Sequence, residues 1–210
     1  MKLSGSFFIS RLIAPMFNGY NRKLVLNMTK SNMRKPILLV IILCLYIHCD
    51  AQRYKSFEGF IGFYSEAPIE NIDAKNEDVA SIIDISTMDI VFSVPIQSFE
   101  FDKSLMQQHF NEKYMESEKY PKSVFKGKIF GLDASKNAKQ NVTARGQLTI
   151  HGVTHTVDIP GAIMLRDGNL HLTSQFPIKI EDYKVKVPQL LWKNIAEVVQ
   201  VTVDLNYKIL

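Results

Sequence analysis

Toward its C-terminus the chain alternates strictly between apolar and polar residues. In EVVQVTVDLNYKIL, Val199, Val201, Val203, Leu205, Tyr207 and Ile209 alternate with Gln200, Thr202, Asp204, Asn206 and Lys208. A period of two places one set on a buried face and the other against water, which predicts a strand. NLHLTSQFPIKI repeats the pattern, with Leu170, Leu172, Phe176, Ile178 and Ile180 set against His171, Thr173, Gln175 and Lys179. DIVFSVPI does the same with Ile90, Phe92, Val94 and Ile96. Turn signals separate these runs. RDGN, Arg166 to Asn169, carries an Asp-Gly pair that favours a tight hairpin, and DASKNAKQN, Asp133 to Asn141, reads as a longer polar loop. Strands are predicted near 54–66, 81–87, 89–96, 122–131, 141–151, 155–166, 169–181 and 197–209. One stretch, DKSLMQQHFNEKYM, reads as a helix: Asp102 is the expected N-cap, and Leu105, Met106, His109 and Phe110 recur at three-to-four spacing. A second short helical turn is expected in QLLWKNIAE, Gln189 to Glu197, with Trp192, the only tryptophan, near this closing segment.

Eight antiparallel strands with one apolar face each form a sandwich or close into a barrel, and closure removes the exposed edges. The face carrying Leu148 and Ile150 continues back through Gly146, Ala144 and Val142. Small inward residues leave room at the axis, although glycine in a strand equally marks a bulge or a barrel corner.

The N-terminal part has a different character. Lys2, Arg11, Arg22, Lys23, Lys30, Arg34 and Lys35 precede any acidic residue, and PILLVIILCLYI, Pro36 to Ile47, is a run of twelve residues without charge. A bilayer span needs about 20 apolar residues. The basic flank, the short apolar run and Ala51 instead match a secretory signal cut between Ala51 and Gln52. The working start is then Met28 or Met33. Residues 1–51 are the leader, with 36–47 its apolar region, and 52–210 are one exported domain, periplasmic or secreted. No Gly/Ser- or Pro-rich linker and no internal repeat divides that domain.

Removing the leader changes the charge. The whole chain carries +4, but residues 52–210 hold 18 Lys+Arg against 20 Asp+Glu. The basic balance that would suggest nucleic acid disappears. Cys44 and Cys49 both fall before the cut, so the domain has neither disulfide nor thiol chemistry. Ile47 and His48 ahead of Cys49 are not the small residues of a lipid-anchoring signal, so Cys49 reads as a leader residue.

Candidate chemistry is sparse. LTIHGVTHTV places His151 and His155 around Gly152, Val153 and Thr154, a three-residue hairpin loop with the two rings facing each other across its mouth. Zinc needs further ligands, and the remaining histidines of the domain, His109 and His171, lie on other elements. There is no Gly-x-Ser-x-Gly elbow, phosphate loop or His-Glu-x-x-His. Glu116 and Glu118 beside the helix end read as solvated carboxylates. No catalytic residue, metal site or cofactor is assigned.

EKYPKSVFKG, with Lys119, Tyr120, Pro121, Phe125 and Lys126, followed by Leu148 through Thr154, resembles the YceI-like family of exported bacterial proteins. The likeness runs from about Phe57 to the C-terminus. His155 stands where the family often has Lys or Arg. The resemblance implies an all-β fold: an eight-stranded antiparallel lipocalin-like barrel, with one short helix closing one side and an apolar tunnel that holds an isoprenoid or similar lipid in some relatives. It implies no catalytic set.

The residues expected to line such a tunnel are Phe92, Val94, Phe125, Ile129, Leu148, Ile150, Leu172, Phe176, Val201 and Val203. Apolar strand faces ordinarily pack on one another, so these side chains equally build a filled core. Two functions follow. One is an exported protein that sequesters or carries an isoprenoid-like or other long-chain lipid, with transient membrane contact. The other is a structural or stress-related module with a filled barrel that binds a protein partner. A metal-dependent hydrolase using His151 and His155 is a distant third. Oligomeric state is open.

Overall fold

A computed structural model describes residues 52–66, 71–186 and 196–210. The predicted leader with its cut site, Trp192 and most of the expected turn at 189–197 lie outside the described residues. Ten strands are present among those residues: β1 (Arg53–Ser65), β2 (Ile72–Asn76), β3 (Ala80–Asp84), β4 (Asp89–Pro95), β5 (Glu100–Phe101), β6 (Lys122–Phe130), β7 (Lys139–Ile150), β8 (Val153–Arg166), β9 (Asn169–Lys179) and β10 (Val198–Ile209). Helix α1 (Ser104–His109) continues into a π-helical turn, Phe110–Tyr114, and a 3-10 turn spans Ile180–Tyr183.

Eight strands form a closed antiparallel ring in the order β10-β9-β8-β7-β6-β4-β3-β1, and β1 pairs back onto β10. These are the eight strands that alternation predicts. The two missed strands, β2 and β5, flank the C-terminal half of β1, with β2 on β1 and β5 on β2. The inward residues of β2 are Ile72, Ala74 and Asn76, too weak an apolar pattern to read. Asn76 is fully buried and satisfied by its neighbours: its amide donates to the Pro95 carbonyl at 2.6 Å, and its side-chain oxygen accepts from the Asp78 N–H at 2.9 Å.

β1 changes phase along its length. Tyr54 and Ser56 are buried, then a bulge between Ser56 and Glu58 leaves Phe57 outside, 52% exposed. Beyond it Ile61 and Ser65 are buried and Phe63 half-buried. Gly59 sits within this irregularity at φ +117°, where a Cβ would lie 2.1 Å from the Asp204 carbonyl oxygen. No side chain fits there.

Gly127 and Gly146 stand opposite one another across β6 and β7. A Cβ on Gly146 would come within 2.2 Å of the Lys126 carbonyl oxygen, and one on Gly127 within 2.4 Å of that of Arg145. The glycines mark a corner where two backbones touch. The room read from Gly146 is therefore taken up by main chain.

The helix starts one residue later than expected. Lys103, in extended conformation, is the N-cap and has no side-chain capping bond; its carbonyl accepts from the N–H groups of Met106 and Gln107. Asp102 is not the cap. Leu105, expected on the apolar face, is 61% exposed; the inner face runs instead along Met106, Phe110 and Tyr114, four residues apart, with Met115 beyond the π-helical turn. No helix among the described residues is long and apolar enough to cross a membrane.

Candidate functional site

The barrel is solid at one end and hollow at the other. At the solid end Tyr54, Ile83, Leu170, Leu205 and Tyr207 are each no more than 2% exposed. The Tyr207 hydroxyl donates to Ser81 Oγ at 2.8 Å, the Ser81 N–H donates to Ser56 Oγ at 2.9 Å, and the Ser56 hydroxyl donates to the Val79 carbonyl at 3.2 Å. This layer forms a floor. Above it lies a cavity of about 230 Å³. Its deepest walls are Ile61, Ile90, Ile163 and Val203. Along β10 the inward residues run from half-buried Val199 to buried Val201 and Val203, then to the sealed Leu205 and Tyr207. The exposure gradient places the mouth near α1 and the β7–β8 turn.

The ten side chains named from the sequence all border this cavity: Phe92 and Val94 on β4, Phe125 and Ile129 on β6, Leu148 and Ile150 on β7, Leu172 and Phe176 on β9, Val201 and Val203 on β10. Among the described residues, no Asp, Glu, Lys, Arg or His borders the cavity. Sequence reasoning missed the lining contributed by β1, β8 and the helix. Phe63, Phe99, Phe101 and Phe110 form one aromatic cluster, with centroids 5.0–5.9 Å apart for five of their pairs, joining β1 and β5 to the helix at the mouth. The β1 bulge hid Phe63 from a period-two reading.

The wall has a slit. β8 and β9 pair only from Ala162–Thr173 to Arg166–Asn169. Pro160 has no N–H to continue the ladder, and Ser174 Oγ donates to its carbonyl at 2.6 Å instead. Toward the mouth, β8 keeps only β7 as a partner and β9 only β10. Ile180, Tyr183 and Val185 border the cavity beside this slit. Burial pushes the Tyr114 phenol up, and burial followed by the Asp182 charge does the same for Tyr183, so both cavity phenols stay neutral at ordinary pH.

The histidines hold this end together. The β7–β8 loop has two residues, His151 and Gly152, at φ +49° and +75°, so His151 is in the turn and Val153 already belongs to β8. The three-residue loop expected from the sequence is corrected accordingly. His151 Nε2 lies 2.9 Å from Glu116 Oε2, at the end of the π-helical turn, and its Nδ1 lies 3.4 Å from the Tyr183 carbonyl. The Tyr120 ring stands edge-on at 4.5 Å. His155 Nε2–H donates to the Asp182 carbonyl at 2.9 Å, and its ring packs on Tyr183 at 5.1 Å. The two imidazoles thus bond to separate acceptors instead of facing one another, and Glu116, an exposed carboxylate as expected, is also the partner of His151. Among the described residues, no three His, Cys, Asp or Glu side chains gather to hold a metal ion.

A closed eight-stranded barrel with a helix at one end and a charge-free apolar pocket is a lipocalin-like architecture. The chain belongs to the family of the YceI-like domain, whose model matches residues 54–207. Three solved structures share the fold. A polyisoprenoid binding domain from Saccharophagus degradans superimposes with a TM-score of 0.65 at 15% identity, covering 75% of this chain and 98% of its own. BcnA of Burkholderia cenocepacia gives 0.59 at 18% identity over 70% and 95%. A YCEI protein of Campylobacter jejuni gives 0.54 at 16% over 67% and 86%. At such identities the likeness establishes the fold alone. No curated protein matches the chain.

Proposed function

We propose that the chain is an exported, non-enzymatic binding protein that takes an isoprenoid-like or other long-chain lipid into the barrel pocket and carries it in the periplasm or outside the cell. The observation that carries this reading is the cavity of about 230 Å³, which among the described residues is lined without a single charged side chain. Each methylene moved from water into such a site contributes about 0.8 kcal/mol, so ten of them supply about 8 kcal/mol before the entropic cost of binding. Polar chemistry is unnecessary for that, which accounts for the lack of a catalytic constellation among the candidate residues. The named activity of the Saccharophagus domain, polyisoprenoid binding, supports the same reading. The basic flank and short apolar run before Gln52 support export.

The test is to express the full-length chain, purify the exported product, extract it with organic solvent and examine the extract by mass spectrometry. A co-purifying lipid is expected, together with a mature N-terminus at Gln52 and a raised melting temperature on adding prenols. An empty extract with no thermal stabilisation by any prenol or fatty acid would overturn the carrier reading.

A further inference from the structure

We infer that the pocket is blind and selects prenyl chains by length, accepting about two to four isoprene units and leaving the carbons beyond them outside. This rests on the reading that the pocket holds such a chain. The floor supplies the limit. Leu205 and Tyr207 on β10, Tyr54 on β1, Ile83 on β3 and Leu170 on β9 close the barrel at no more than 2% exposure, and the Tyr207–Ser81 bond fixes the largest of them. None of the five borders the cavity.

Two independent measures set the capacity. A dry apolar cavity of about 150 Å³ admits benzene, so scaling to this volume gives about nine carbons, close to two isoprene units. Depth gives the upper bound. The lining runs from Leu172 to Ile178 on β9 and from Val142 to Ile150 on β7. At about 3.3 Å per residue and a strand tilt near 40°, those spans reach roughly 15–20 Å along the axis. An extended carbon chain advances about 1.25 Å per bond, hence about 5 Å per isoprene unit, which gives three to four units. Among the described residues the wall has no charge to receive a polar end group, so that end stays at the mouth and the chain enters tail first.

The experiment measures Kd for free prenols of two, three, four, six and eight isoprene units by displacement of a fluorescent apolar probe from the exported protein. Affinity is expected to rise about tenfold or more per unit up to the limit, then stay flat. Ala144 borders the cavity between Val142 and the Gly146 corner, and Ala144→Leu would raise the floor. That variant is expected to move the break one unit shorter while binding of the two-unit prenol survives. Ile163→Ala, at the deepest wall, is expected to move it one unit longer. Affinity that keeps climbing through six and eight units would overturn the length limit and leave the carrier reading intact. Absence of binding at every length would overturn both.

Discussion

Replacing Tyr207 with phenylalanine tests whether the floor is a sealed layer that keeps this phenol neutral. The ring would stay in place and only the hydroxyl would go, taking with it the 2.8 Å bond to Ser81 Oγ in a fully buried setting. A buried neutral hydrogen bond contributes about 1 kcal/mol net, so the variant should be less stable by about that amount at pH 7. The pH dependence carries more information. Burial pushes the Tyr207 phenol well above its ordinary value, and the Ser81 bond offsets this only in part. The stabilisation from a raised pKa is complete below the unfolded value, about 10, and is lost as pH rises beyond it, because the unfolded chain ionises while the folded one cannot. The wild type should therefore lose about 1.4 kcal/mol per pH unit above pH 10 from this residue alone, and the variant should not. Losses from Tyr114 and Tyr183 are common to both proteins and cancel in the difference. The two stabilities should cross near pH 11. Urea unfolding followed by far-ultraviolet circular dichroism at half-unit steps from pH 7 to 11.5 would show it. A constant gap between the two proteins across that range would refute the description of Tyr207 as a buried neutral phenol and weaken the sealed floor with it.

Gly59→Ala must place a Cβ 2.1 Å from the Asp204 carbonyl oxygen at φ +117°, so it should cost more than about 1–3 kcal/mol in urea unfolding; a neutral result would show that β1 is not pinned to β10 there. Asp84 is held down to about 2, first by the Ser86 hydroxyl and then by Arg53, so its contribution is present above pH 4 and lost as pH falls through 2; Asp84→Asn should flatten that part of the acid-stability curve, and an unchanged slope would count against it. His151→Ala removes the ring that touches both Glu116 and Tyr183, and amide hydrogen exchange across 104–117 should speed up by about fivefold or more, while exchange in β10 stays slow. Equal effects on both segments would make His151 a global stabiliser rather than a local tie.

The ring strands were most legible where inward residues are mostly aliphatic or aromatic against outward polar ones, as on β9 and most of β10; β1 and β3 mix in inward Ser56, Ser65 and Ser81 and outward Phe57 and Ile82. β2 escaped because its inward Ala74 and Asn76 carry no such signal, and burial of Asn76 is possible only through partners distant in sequence. The β1 bulge broke the period at Phe57, and of the adjacent apolar pair Leu105 and Met106 only Met106 faces the cavity. Neither outcome is encoded in a count of apolar positions. Hollowness is the deeper case. On β10, Val201 and Val203 border a cavity while Leu205 and Tyr207, in the same alternation, are sealed. Alternation says which way a side chain points. It does not say whether the residue opposite is long enough to meet it. Along β10 alone, size follows position: Val199, Val201 and Val203 border the cavity, and Leu205 and Tyr207 fill the closed end.

That division of the barrel has an energetic consequence. Side chains facing an unfilled space forgo dispersion contacts that packed ones have, so the hollow half is intrinsically the less stable half. The same half contains the slit where β8 and β9 part and a helical segment, α1 with the π-helical turn, that has no fully buried residue. These pieces are joined by the Phe63–Phe99–Phe101–Phe110 cluster and by local polar ties: the Glu116–His151 contact, the Asp182–His155 bond, and the edge-on contacts of His151 with Tyr120 and of His155 with Tyr183. A bound chain would supply the missing contacts, so ligand binding and closure of this end should be thermodynamically linked, with stability rising as RT ln(1 + [L]/Kd). The floor packing lies outside that linkage. The proposed binding needs both a barrel that stays folded when empty and an entrance loose enough to admit a chain, and the structure separates the two along one set of strands.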